Sequence, residues 1–547
     1  MNINGKLFLW VLDIIRAGDV VERIEKVLRP GERAGGRPRQ FGLDVWLAAF
    51  VVATITGSGA FEVRAHRVLT QDLPRSLQVR LGLRRRAVGS DAVTRPISVA
   101  QVRGPLDQLA ARLNQDEKGL SDLEREDRRE TLRGLVCAMA AATIPMRHRL
   151  SGSWAVDNTA VESWGKPWTR PKDAAGAISH ESEARWGHRT PTFQTGDRDR
   201  VFGYKKSSYT LIAPLPAYIE AMEVRPAHEH GEEPAMRLAE LLHRKLTNAG
   251  RKFGLVIADR EYSHAKPERW HHPMRAMGAE LVMDIHQLDR GVEHYRGAMF
   301  LDGGAFCPGM PGHLLPLERP ARSTLGPRPG PDEPLKERSA WDALKKALAW
   351  ARRITSLREP YALVRIAGNG AGKERFACPA LHGKVVCPLR AFTMQLPDSD
   401  LLPEVTPPRP ALQVADGICF RQSITVYEDV SPKTRQRLQW QSEKWALLYN
   451  KRPSVERGYA SMKSGATEDV GRGWIQLRGI VKVSFMLAVA VMSQNLRLAL
   501  GEIAVNGPDE GPEADVILRG PEEFFGHEEL NVYGDIDRYD TPHNSDH

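Results

Sequence analysis

The sequence predicts an α/β protein in which a mixed sheet forms one domain, an inserted domain interrupts it and an N-terminal helical domain precedes it. Three observations predict this class. Short helical patterns fill residues 1–118, β-rich runs alternate with an amphipathic helix over 119–265, and Pro-rich segments break that alternation over 266–431. Helical patterns resume over 432–500, so 119–265 and 432–500 are assigned to one α/β domain.

The N-terminal region is expected to consist of several short helices. Apolar residues recur at helical spacing in "LFLWVLDIIRAGDVVERIEKVL", and further helical runs are "FEVRAHRVLTQ", "LPRSLQVRLGLRRR" and "SVAQVRGPLDQLAARLN". Arginines interleaved with short helices are typical of helix-turn-helix DNA-binding regions, although any small helical domain shows the same pattern. We predict that residues 1–118 bind DNA.

Strand patterns dominate the central region. "GSWAVDNTAVESW", "VFGYKKSSYTLIAPL" and "YIEAMEVRPA" predict three strands, and "KFGLVIADREY" predicts a fourth that ends at an acid. Between the third and the fourth, "EEPAMRLAELLHRKLTNAG" predicts an amphipathic helix with Pro234 at its start and leucines on one stripe. Three strands, a helix and a further strand predict a mixed sheet.

The inserted domain and the C-terminal tail differ from the rest in composition. Pro-rich linkers, "ERPARSTLGPRPGPDEPLKERS" and "LLPEVTPPRPALQ", flank a predicted helix at 340–356 and two short strands in "YALVRI" and "KERFACPALHGKVVCPL". An apolar helix is predicted at 475–500, and the tail 501–547 has thirteen Asp and Glu against two Arg. We expect the tail to be disordered, at least in part.

Charge is distributed unevenly along the chain. The whole chain carries a net charge of +9, the tail −11, and residues 1–500 therefore +20. A basic body favours a polyanionic partner, but a solvated surface in an arginine-rich composition explains the charge equally well.

Three classes of protein are disfavoured. Asp13 interrupts the N-terminal apolar run and no cleavage-site pattern follows, which argues against a secretory signal. The apolar stretches "VWLAAFVVATI" and "FMLAVAVM" are too short to span a bilayer. Five cysteines without paired spacing argue against a disulfide framework. The sequence therefore predicts a cytoplasmic protein without a membrane partner.

The segment "YNKRPSVERGYASMK" places polar side chains at regular intervals. Tyr449 is followed at +3 by Arg452, at +7 by Glu456 and at +14 by Lys463. At about 100° per residue, all four would share one face of a continuous helix. Proline is tolerated in the first turn of a helix, so Pro453 predicts a helix that begins near 453. The shared face is then secure only for Glu456 and Lys463.

Two acids end predicted strands of the α/β domain. Asp157 follows "SWAV", and Asp259 follows "GLVIA". Capping of the next turn is the commoner explanation for a single strand-end Asp. Two such acids, together with Glu456 between two cations, favour a functional site. Three carboxylates offer only oxygen ligands, which suit Mg²⁺ completed by water and phosphate.

These residues carry a resemblance to a known family. "AVDNTAVE", "LVIADREY" and "YNKRPSVERGYASMK" resemble the three catalytic blocks of bacterial insertion-sequence transposases of the DDE class. The third block resembles the Tyr-Arg-Glu-Lys signature of one large branch, with its spacing intact. The resemblance covers about 150–265 and 432–500. Glu261 departs from it, because a small residue is common at that place in the family.

The resemblance implies a fold and a metal site. The fold would be ribonuclease H-like, with a catalytic domain interrupted by an inserted domain. Asp157, Asp259 and Glu456 would be the catalytic residues and the ligands of two Mg²⁺ ions, for which Mn²⁺ can substitute. Two such ions would stabilise the attacking and leaving oxygens of an in-line phosphoryl displacement.

The resemblance also implies a substrate. Arg452 and Lys463 would bind the phosphate backbone at the cleavage site, and Tyr449 would stack or hydrogen-bond there. Water would free a 3′-hydroxyl at the transposon end, and that hydroxyl would attack target DNA. The implied partners are double-stranded DNA, at transposon ends and at the target, and a second copy of the chain in a DNA-bound homodimer. The implied location is the nucleoid in the bacterial cytoplasm.

Two alternatives to a transposase stay open. One is a non-catalytic DNA-binding protein descended from a transposase, although such a protein would usually have lost an acid or the lysine. The other is a metal-dependent DNA nuclease without strand transfer, which differs only in whether the freed 3′-hydroxyl is used.

The cysteines admit two interpretations. Cys378 and Cys387 lie in "CPALHGKVVCP", and Cys307 and Cys419 lie elsewhere in the inserted domain. A structural Zn²⁺ at Cys378 and Cys387 is one interpretation, and ordinary buried thiols are the other, because the spacing is not that of a CxxC pair. Cys137, in an apolar helical run, is expected in the core.

Overall fold

The structure is a computed structural model, and the statements below refer to the residues that it describes. These residues are 3–29, 39–57, 61–86, 93–165, 181–188, 200–315, 328–368, 373–407, 413–464, 467–468, 470, 475–511 and 513–521. Parts of both predicted Pro-rich linkers, 318–327 and 408–412, lie outside them.

The first 112 residues are mainly helical, as predicted. The elements are α1 (Ile3–Ala17), α2 (Val20–Leu28), α3 (Leu43–Ile55), α4 (Glu62–Arg67), α5 (Arg75–Arg80), β1 (Arg84–Arg86), β2 (Val93–Pro96) and α6 (Val99–Arg112). The prediction of a helix through "LPRSLQVRLGLRRR" is wrong at its end, where β1 pairs with β2 as an antiparallel hairpin. Gly82, with φ +73°, lets the chain leave the helix there at little steric cost.

The central region contains every strand that the sequence predicts. Its elements are α7 (Asp122–Ala142), β3 (Trp154–Glu162), β4 (Arg185–His188), β5 (Arg200–Leu211), β6 (Ile219–Pro226), α8 (Glu232–Asn248), β7 (Leu255–Ala258), α9 (Arg260–His264), α10 (His271–Ala276) and β8 (Glu280–Met283). The predicted leucine stripe of α8 is buried at Leu238, Leu242 and Leu246. Because these positions are four residues apart, they lie on one helical face.

Six of these strands form one mixed sheet, as predicted. Its strand order is β4-β5-β3-β7-β8, with β6 paired to β5. The pairs β4–β5 and β5–β6 are antiparallel, and the pairs β3–β7 and β7–β8 are parallel. In the β3–β7 ladder, Trp154 pairs with Val256 and Ala155 with Ile257. Two parallel neighbouring strands must be joined by a crossover connection. The connection from β3 to β7 contains α8, which lies between β6 and β7 in the sequence.

The next region contains two small antiparallel sheets and one long helix. Its elements are β9 (Glu293–Tyr295), β10 (Ala298–Leu301), β11 (Gly304–Phe306), α11 (Leu335–Leu357), β12 (Val364–Gly368), β13 (Glu374–Ala377), β14 (Ser423–Val426) and α12 (Glu443–Tyr449). The predicted helix at 340–356 is confirmed as part of α11. The predicted strand in "KERFACPALHGKVVCPL" ends at Ala377, because turns follow from Cys378 onward. The chain closes with α13 (Pro453–Lys463) and α14 (Ile480–Asn506).

Internal contacts divide the chain into two compact units. The first unit comprises 1–151, 157–230 and 454–547, and the second comprises 152–156 and 231–453. The division passes through β3, whose first residues belong to the second unit. The domain boundaries drawn from the sequence remain predictions.

The core of the first unit is built around α14. By length and composition this helix is the one in the described chain that could cross a membrane, but 89% of its most apolar window is buried inside the protein. It packs against α3, α7 and β6. Asn495 fixes it there, since its side chain donates to the carbonyl of Ala140 (3.1 Å) and accepts the N–H of Ile219 (2.9 Å). The apolar run "FMLAVAVM" is residues 485–492 of this longer helix, and all eight of them are buried in the core.

The tail also contributes to this core. Ile517 and Leu518 are 0% and 1% exposed. The indole N–H of Trp10, in α1, lies 3.2 Å from the carbonyl oxygens of both Val516 and Ile517. The tail is therefore packed as far as residue 521, and the predicted disorder concerns 522–547, which lie outside the described residues.

We expect a truncation after residue 506 to destabilise the protein and one after residue 521 to leave its stability unchanged. Burial of one Ile and one Leu side chain contributes about 1.5–3 kcal/mol each, so the shorter chain should lose about 3 kcal/mol or more. Thermal unfolding of both truncated proteins beside the full chain measures this. Equal melting temperatures for the two truncations would contradict a packed 507–521 segment.

Candidate active site

The signature segment forms two helices joined by a turn. Helix α12 ends at Tyr449, and α13 begins at Pro453, as Pro453 predicts. The backbone N–H of Arg452 donates to the carbonyl of Tyr449 (3.0 Å) within the turn. The simple expectation of one continuous helical face for four residues is therefore wrong. Proline lacks an N–H and its ring blocks the preceding helical turn, so the helix cannot extend back to Tyr449.

Helix α13 has one buried face and one exposed face. Val455, Tyr459 and Met462 are buried and recur at intervals of four and three residues, as a packed face requires. Glu456 lies in the first turn and is exposed. Lys463, seven residues later, is only partly exposed and lies about 20° away around the helix.

The hydroxyl of Tyr459 fastens α13 to two strands. It donates to the backbone carbonyl of Asp157 in β3 (2.9 Å), and it lies 2.5 Å from the hydroxyl of Ser208 in β5. A phenol has one proton, so the Ser208 hydroxyl is the donor in the second bond. Both bonds are buried, where a lost partner costs more than at the surface. The helix that carries Glu456 is thus bonded directly to the residue Asp157.

A second attachment comes from the predicted phosphate-binding lysine. The Lys463 ammonium donates to the hydroxyl of Thr159 in β3, at 2.7 Å. Thr159 is two residues beyond Asp157, so both lie on the same face of the strand. Lys463 therefore lies beside the Asp157 strand rather than on a purely solvated helix surface.

Asp157 is held in a buried position. Asp157 is only 8% exposed, and its carboxylate accepts the backbone N–H of Asn158 (2.8 Å). A buried carboxylate is costly without hydrogen bonds or a positive charge. The location at the fourth residue of β3 agrees with the predicted strand-end acid only in part, because the strand continues to Glu162.

A buried lysine that the sequence did not single out lies in the same unit. The Lys206 ammonium is 3.4 Å from the sulfur of Met462 and 4.8 Å from the ring centroid of Tyr459. Burial and then the charge of Lys463 lower the pKa of Lys206 to about 7, while Glu468 opposes the shift. No signal in the sequence marks Lys206, because β5 also contains Lys205 and two serines.

Asp259 and Arg452 form an ion pair in the second unit. Asp259 follows β7 directly, and its carboxylate accepts the N–H of Glu261 (2.9 Å), so it caps α9. The guanidinium of Arg452 lies 3.5 Å from the other carboxylate oxygen. Burial raises the pKa of Asp259, and Arg452 partly offsets that rise while the charge of Glu261 adds to it. The capping explanation holds for this acid, and a functional role would come in addition.

Tyr449 is partly buried and lies against a neighbouring ring in the second unit. It stacks on Trp445, with ring centroids 4.4 Å apart and an interplanar angle of 12°. Burial raises the pKa of the Tyr449 hydroxyl. One face of its ring is therefore covered by protein.

The three predicted metal-binding acids are divided between the two units. Asp157 and Glu456 belong to the first unit, and Asp259 belongs to the second. Asp157 lies two residues beyond Ala155 and Asp259 two residues beyond Ile257, and Ala155 pairs with Ile257 in the β3–β7 ladder.

A histidine cluster in the second unit was missed in the sequence. His264, His286 and Asp289 have ligand atoms within 4.8 Å of one another. His264 is bonded to Asp289 (2.7 Å), and the two imidazole rings stack at 4.3 Å. Lys433 also donates to Asp289 (3.1 Å), so this carboxylate already has two cationic or donor partners. His264 lies 22 positions before His286 in the sequence, and no local spacing pattern marks the cluster.

A cleft in the first unit presents basic side chains. It has a volume of about 770 Å³ and is lined by residues of α4, α6 and the start of α14, among them Arg64, Arg103, Arg478 and Lys482. Lys482 pairs with Asp107 and Arg103 approaches Glu62, so part of this charge is neutralised.

The comparisons with known proteins give no family for this chain. No protein-family model matches the sequence, and no curated protein matches it either.

We expect Lys206→Met to stabilise the protein in a pH-dependent way. The folded-state pKa is about 7 and the unfolded value about 10.4, so the unfolded state binds more protons between these values. Stability of the wild type should therefore rise with pH across this window, by about 1.4 kcal/mol per pH unit at most. Methionine keeps the length of the side chain and removes the charge.

The measurement is thermal unfolding of both proteins from pH 6 to pH 10. The gain in melting temperature from Lys206→Met should be largest at pH 6 and should shrink toward pH 10. Lys205→Met, at the neighbouring and partly exposed position, is the matched control and should show no such trend. A gain that does not vary with pH would contradict a titrating Lys206.

Proposed function

We propose that this chain is a DNA transposase of the DDE class, which cleaves DNA at transposon ends and joins the freed 3′-hydroxyl to target DNA. The observation that carries the proposal is the attachment of α13 to β3. Tyr459 bonds the carbonyl of Asp157 and Lys463 bonds Thr159. The helix with the Glu456–Lys463 face is thereby fixed to the strand of the first predicted acid, although 299 residues separate Asp157 from Glu456.

A ribonuclease H-like fold is the finer assignment that we propose for the mixed sheet. Support comes from the order of elements: β3, β5 and β6 come before α8, and β7 and β8 then add in parallel to β3. The first strand is central in that order, and its residues Trp154 and Ala155 pair with β7, the strand that Asp259 follows.

The donor set suits a hard divalent cation. Asp157, Asp259 and Glu456 offer only carboxylate oxygens, which fit Mg²⁺ or Mn²⁺. Burial raises the pKa of Asp259, and a nearby cation would favour its charged form. When bound, two such ions would stabilise negative charge on the attacking and leaving oxygens of the phosphodiester.

Arg452 and Lys463 are proposed to hold the phosphates next to the scissile bond. The Arg452–Asp259 contact of 3.5 Å is long for a charge-assisted hydrogen bond, and the guanidinium would turn from it to a phosphate when DNA binds. Lys463 donates to a neutral hydroxyl of Thr159, and it would exchange this bond for a phosphate oxygen. Tyr449 would contribute through the ring face or hydroxyl that Trp445 leaves uncovered.

Charge supports a nucleic acid as the substrate. Residues 1–500 carry +20, and counterion release from DNA makes such binding steeply dependent on salt. The N-terminal helices and the basic cleft beside α4 and α6 would take part in binding. Double-stranded DNA, a DNA-bound homodimer and a nucleoid location in the cytoplasm complete the proposal.

Charge-removing variants of the three acids test the catalytic claim. We expect Asp157→Asn, Asp259→Asn and Glu456→Gln each to slow Mg²⁺-dependent cleavage by a factor of about a thousand or more, which is about 4 kcal/mol in the barrier. DNA affinity should stay close to wild type. The substrate is DNA that carries the inverted repeats flanking the gene, and the readout is the single-turnover cleavage rate.

Asp259→Asn is the most discriminating of these variants. Asparagine caps a helix as well as aspartate does, so a capping role alone predicts an active enzyme. Glu261→Gln, which removes a neighbouring exposed acid, is the matched control and should remain active. Binding without cleavage in the wild type would favour the non-catalytic alternative, and cleavage without joined products would favour a nuclease.

The side chains of Arg452 and Lys463 should act on the DNA substrate and not on the metal ions. We expect Lys463→Ala and Arg452→Lys to lower the cleavage rate by at least tenfold, because in-line attack needs the phosphate aligned and lysine cannot reproduce the guanidinium fork. Mn²⁺ binding, followed by calorimetry, should be unchanged in both. Lys451→Ala, at the adjacent position, serves as the control. Rates within a few-fold of wild type would show that Lys463 and Arg452 are structural.

A further inference from the structure

Four of the five cysteines lie in the second unit, on four separate segments. Cys307, Cys378 and Cys387 are buried, Cys419 is partly exposed, and all four are reduced thiols. Three of them precede a proline, in "CPG", "CPA" and "CPL". The sequence pointed only to the pair Cys378 and Cys387.

Two of the cysteines meet at one end of a small sheet. Strand β13 ends at Ala377, which pairs with Ser423, the first residue of β14. Cys378 follows directly, and its N–H donates to the carbonyl of Gln422 (3.3 Å). Cys419 is three residues before Gln422. Because the strands are antiparallel, the end of β13 and the approach to β14 lie at the same edge.

Cys307 reaches this edge through the neighbouring strand. Phe306 forms a bridge with Ala362, and the N–H of Cys307 donates to the carbonyl of Tyr361 (2.9 Å). Strand β12 begins two residues after Ala362, and Val364 pairs with Ala377. Cys307 therefore also lies at the Cys378 end of the sheet.

Backbone bonds bring the Cys387 segment to the same place. The N–H of Val405 donates to the carbonyl of Val386 (2.9 Å), and the N–H of Thr406 donates to the carbonyl of Gly309 (3.0 Å). A Cβ atom at Gly309 would collide with both Val405 and Thr406. The approach of these segments thus depends on a glycine two residues after Cys307.

A side chain links the last two cysteine segments. The guanidinium of Arg390, three residues after Cys387, donates to the carbonyl of Arg421 (2.8 Å), two residues after Cys419. The four cysteine segments are therefore connected to one another by hydrogen bonds at one sheet edge.

The three Cys-Pro segments share one local geometry. In each, the N–H three residues after the cysteine donates to the cysteine carbonyl: Met310 to Cys307 (3.1 Å), Leu381 to Cys378 (3.1 Å) and Arg390 to Cys387 (2.8 Å). Each of these three cysteines therefore begins a tight turn, and its proline follows directly.

The four thiols also share one hydrophobic cluster. Cys307, Cys378 and Cys387 belong to a buried cluster that includes residues of β10 and β13, and Cys419 packs against it. Ligands that come from separate segments of one buried cluster are what a closed structural zinc site requires.

We propose that Cys307, Cys378, Cys387 and Cys419 are the four ligands of a tetrahedral structural zinc site in the second unit. The sulfur atoms do not form a group within 4.8 Å of one another, and four sulfurs at 2.3 Å from one zinc lie about 3.8 Å apart. Side-chain rotation must therefore close the site. Each thiol that binds releases one proton to solvent, so loading of four thiols releases four protons and no electron is transferred.

The experiment measures metal on the purified full chain, kept reduced and reconstituted with zinc. We expect one zinc per chain, released by a mercurial reagent and counted with a colorimetric chelator. Cobalt(II) in place of zinc should give the intense visible absorption of a tetrahedral site, with sulfur-to-cobalt charge transfer that corresponds to four thiolates. Absence of bound zinc and of this charge transfer in the wild type would overturn the proposal.

Single substitutions identify the ligands. Cys307→Ser, Cys378→Ser, Cys387→Ser and Cys419→Ser should each weaken zinc binding by at least about a hundredfold, whereas Cys137→Ser, a buried thiol in the first unit, should not. Cys419→His is the control for misfolding. Histidine can also bind zinc at this most accessible of the four positions, so this variant should retain zinc. Zinc lost in His264→Ala and kept in the cysteine variants would place the ion at the histidine cluster and overturn the proposal.

The test of the zinc site does not depend on the proposed DNA cleavage. The zinc content of Asp157→Asn should equal that of the wild type, so a failure of DNA cleavage leaves this test intact. A chain that cleaves DNA but holds no zinc would refute the zinc site alone.

Discussion

The buried hydroxyl of Tyr459 is the contact on which the candidate site of the first unit depends. It joins α13 to β3 through the carbonyl of Asp157 and to β5 through Ser208. Neither strand is near α13 in the sequence, and no metal takes part in these bonds. Their loss would leave a carbonyl and a hydroxyl unpaired inside the protein, at about 1–3 kcal/mol each. The position of Glu456 relative to Asp157 is therefore set by the folded protein before any ligand binds.

The same region contains positive charge that stability alone does not explain. Lys206 is buried and its pKa is lowered to about 7, first by burial and then by Lys463. Two cations close together destabilise the unliganded protein, whereas an anion beside them would relieve the repulsion. Glu468 relieves it in part, but this carboxylate also accepts hydrogen bonds from Ser493 (3.0 Å) and Arg497 (2.9 Å). Lys206 is 1% exposed, so of the two lysines only the partly exposed Lys463 could contact a ligand at the surface.

Local sequence patterns predicted the elements better than their ends. The strands β3, β5, β6 and β7 and the helix α8 follow from periodicity, and Pro453 predicted where α13 begins. The hairpin at Arg84–Arg86 and the packed residues Ile517 and Leu518 did not follow, because pairing and burial depend on segments that are distant in the chain. Tyr459 and Lys206 were missed for the same reason, since their roles come from contacts across about 250 residues or more.

The two proposed metal sites differ in their ligand atoms and in their exposure to solvent. The carboxylates have oxygen donors. Glu456 is exposed on α13, and Asp259 accepts a backbone N–H and lies 3.5 Å from the guanidinium of Arg452. Such ligands can exchange cations with solvent, which a site that also admits phosphate requires. Three of the thiols lie within a core cluster at a sheet edge, and Cys419 packs against it. Zinc bound there would contribute to folding, because a closed thiolate site stabilises the folded state relative to the unfolded one. The small sheets β9–β11 and β12–β14 share that hydrophobic cluster, so a metal held there would join segments that burial already brings together.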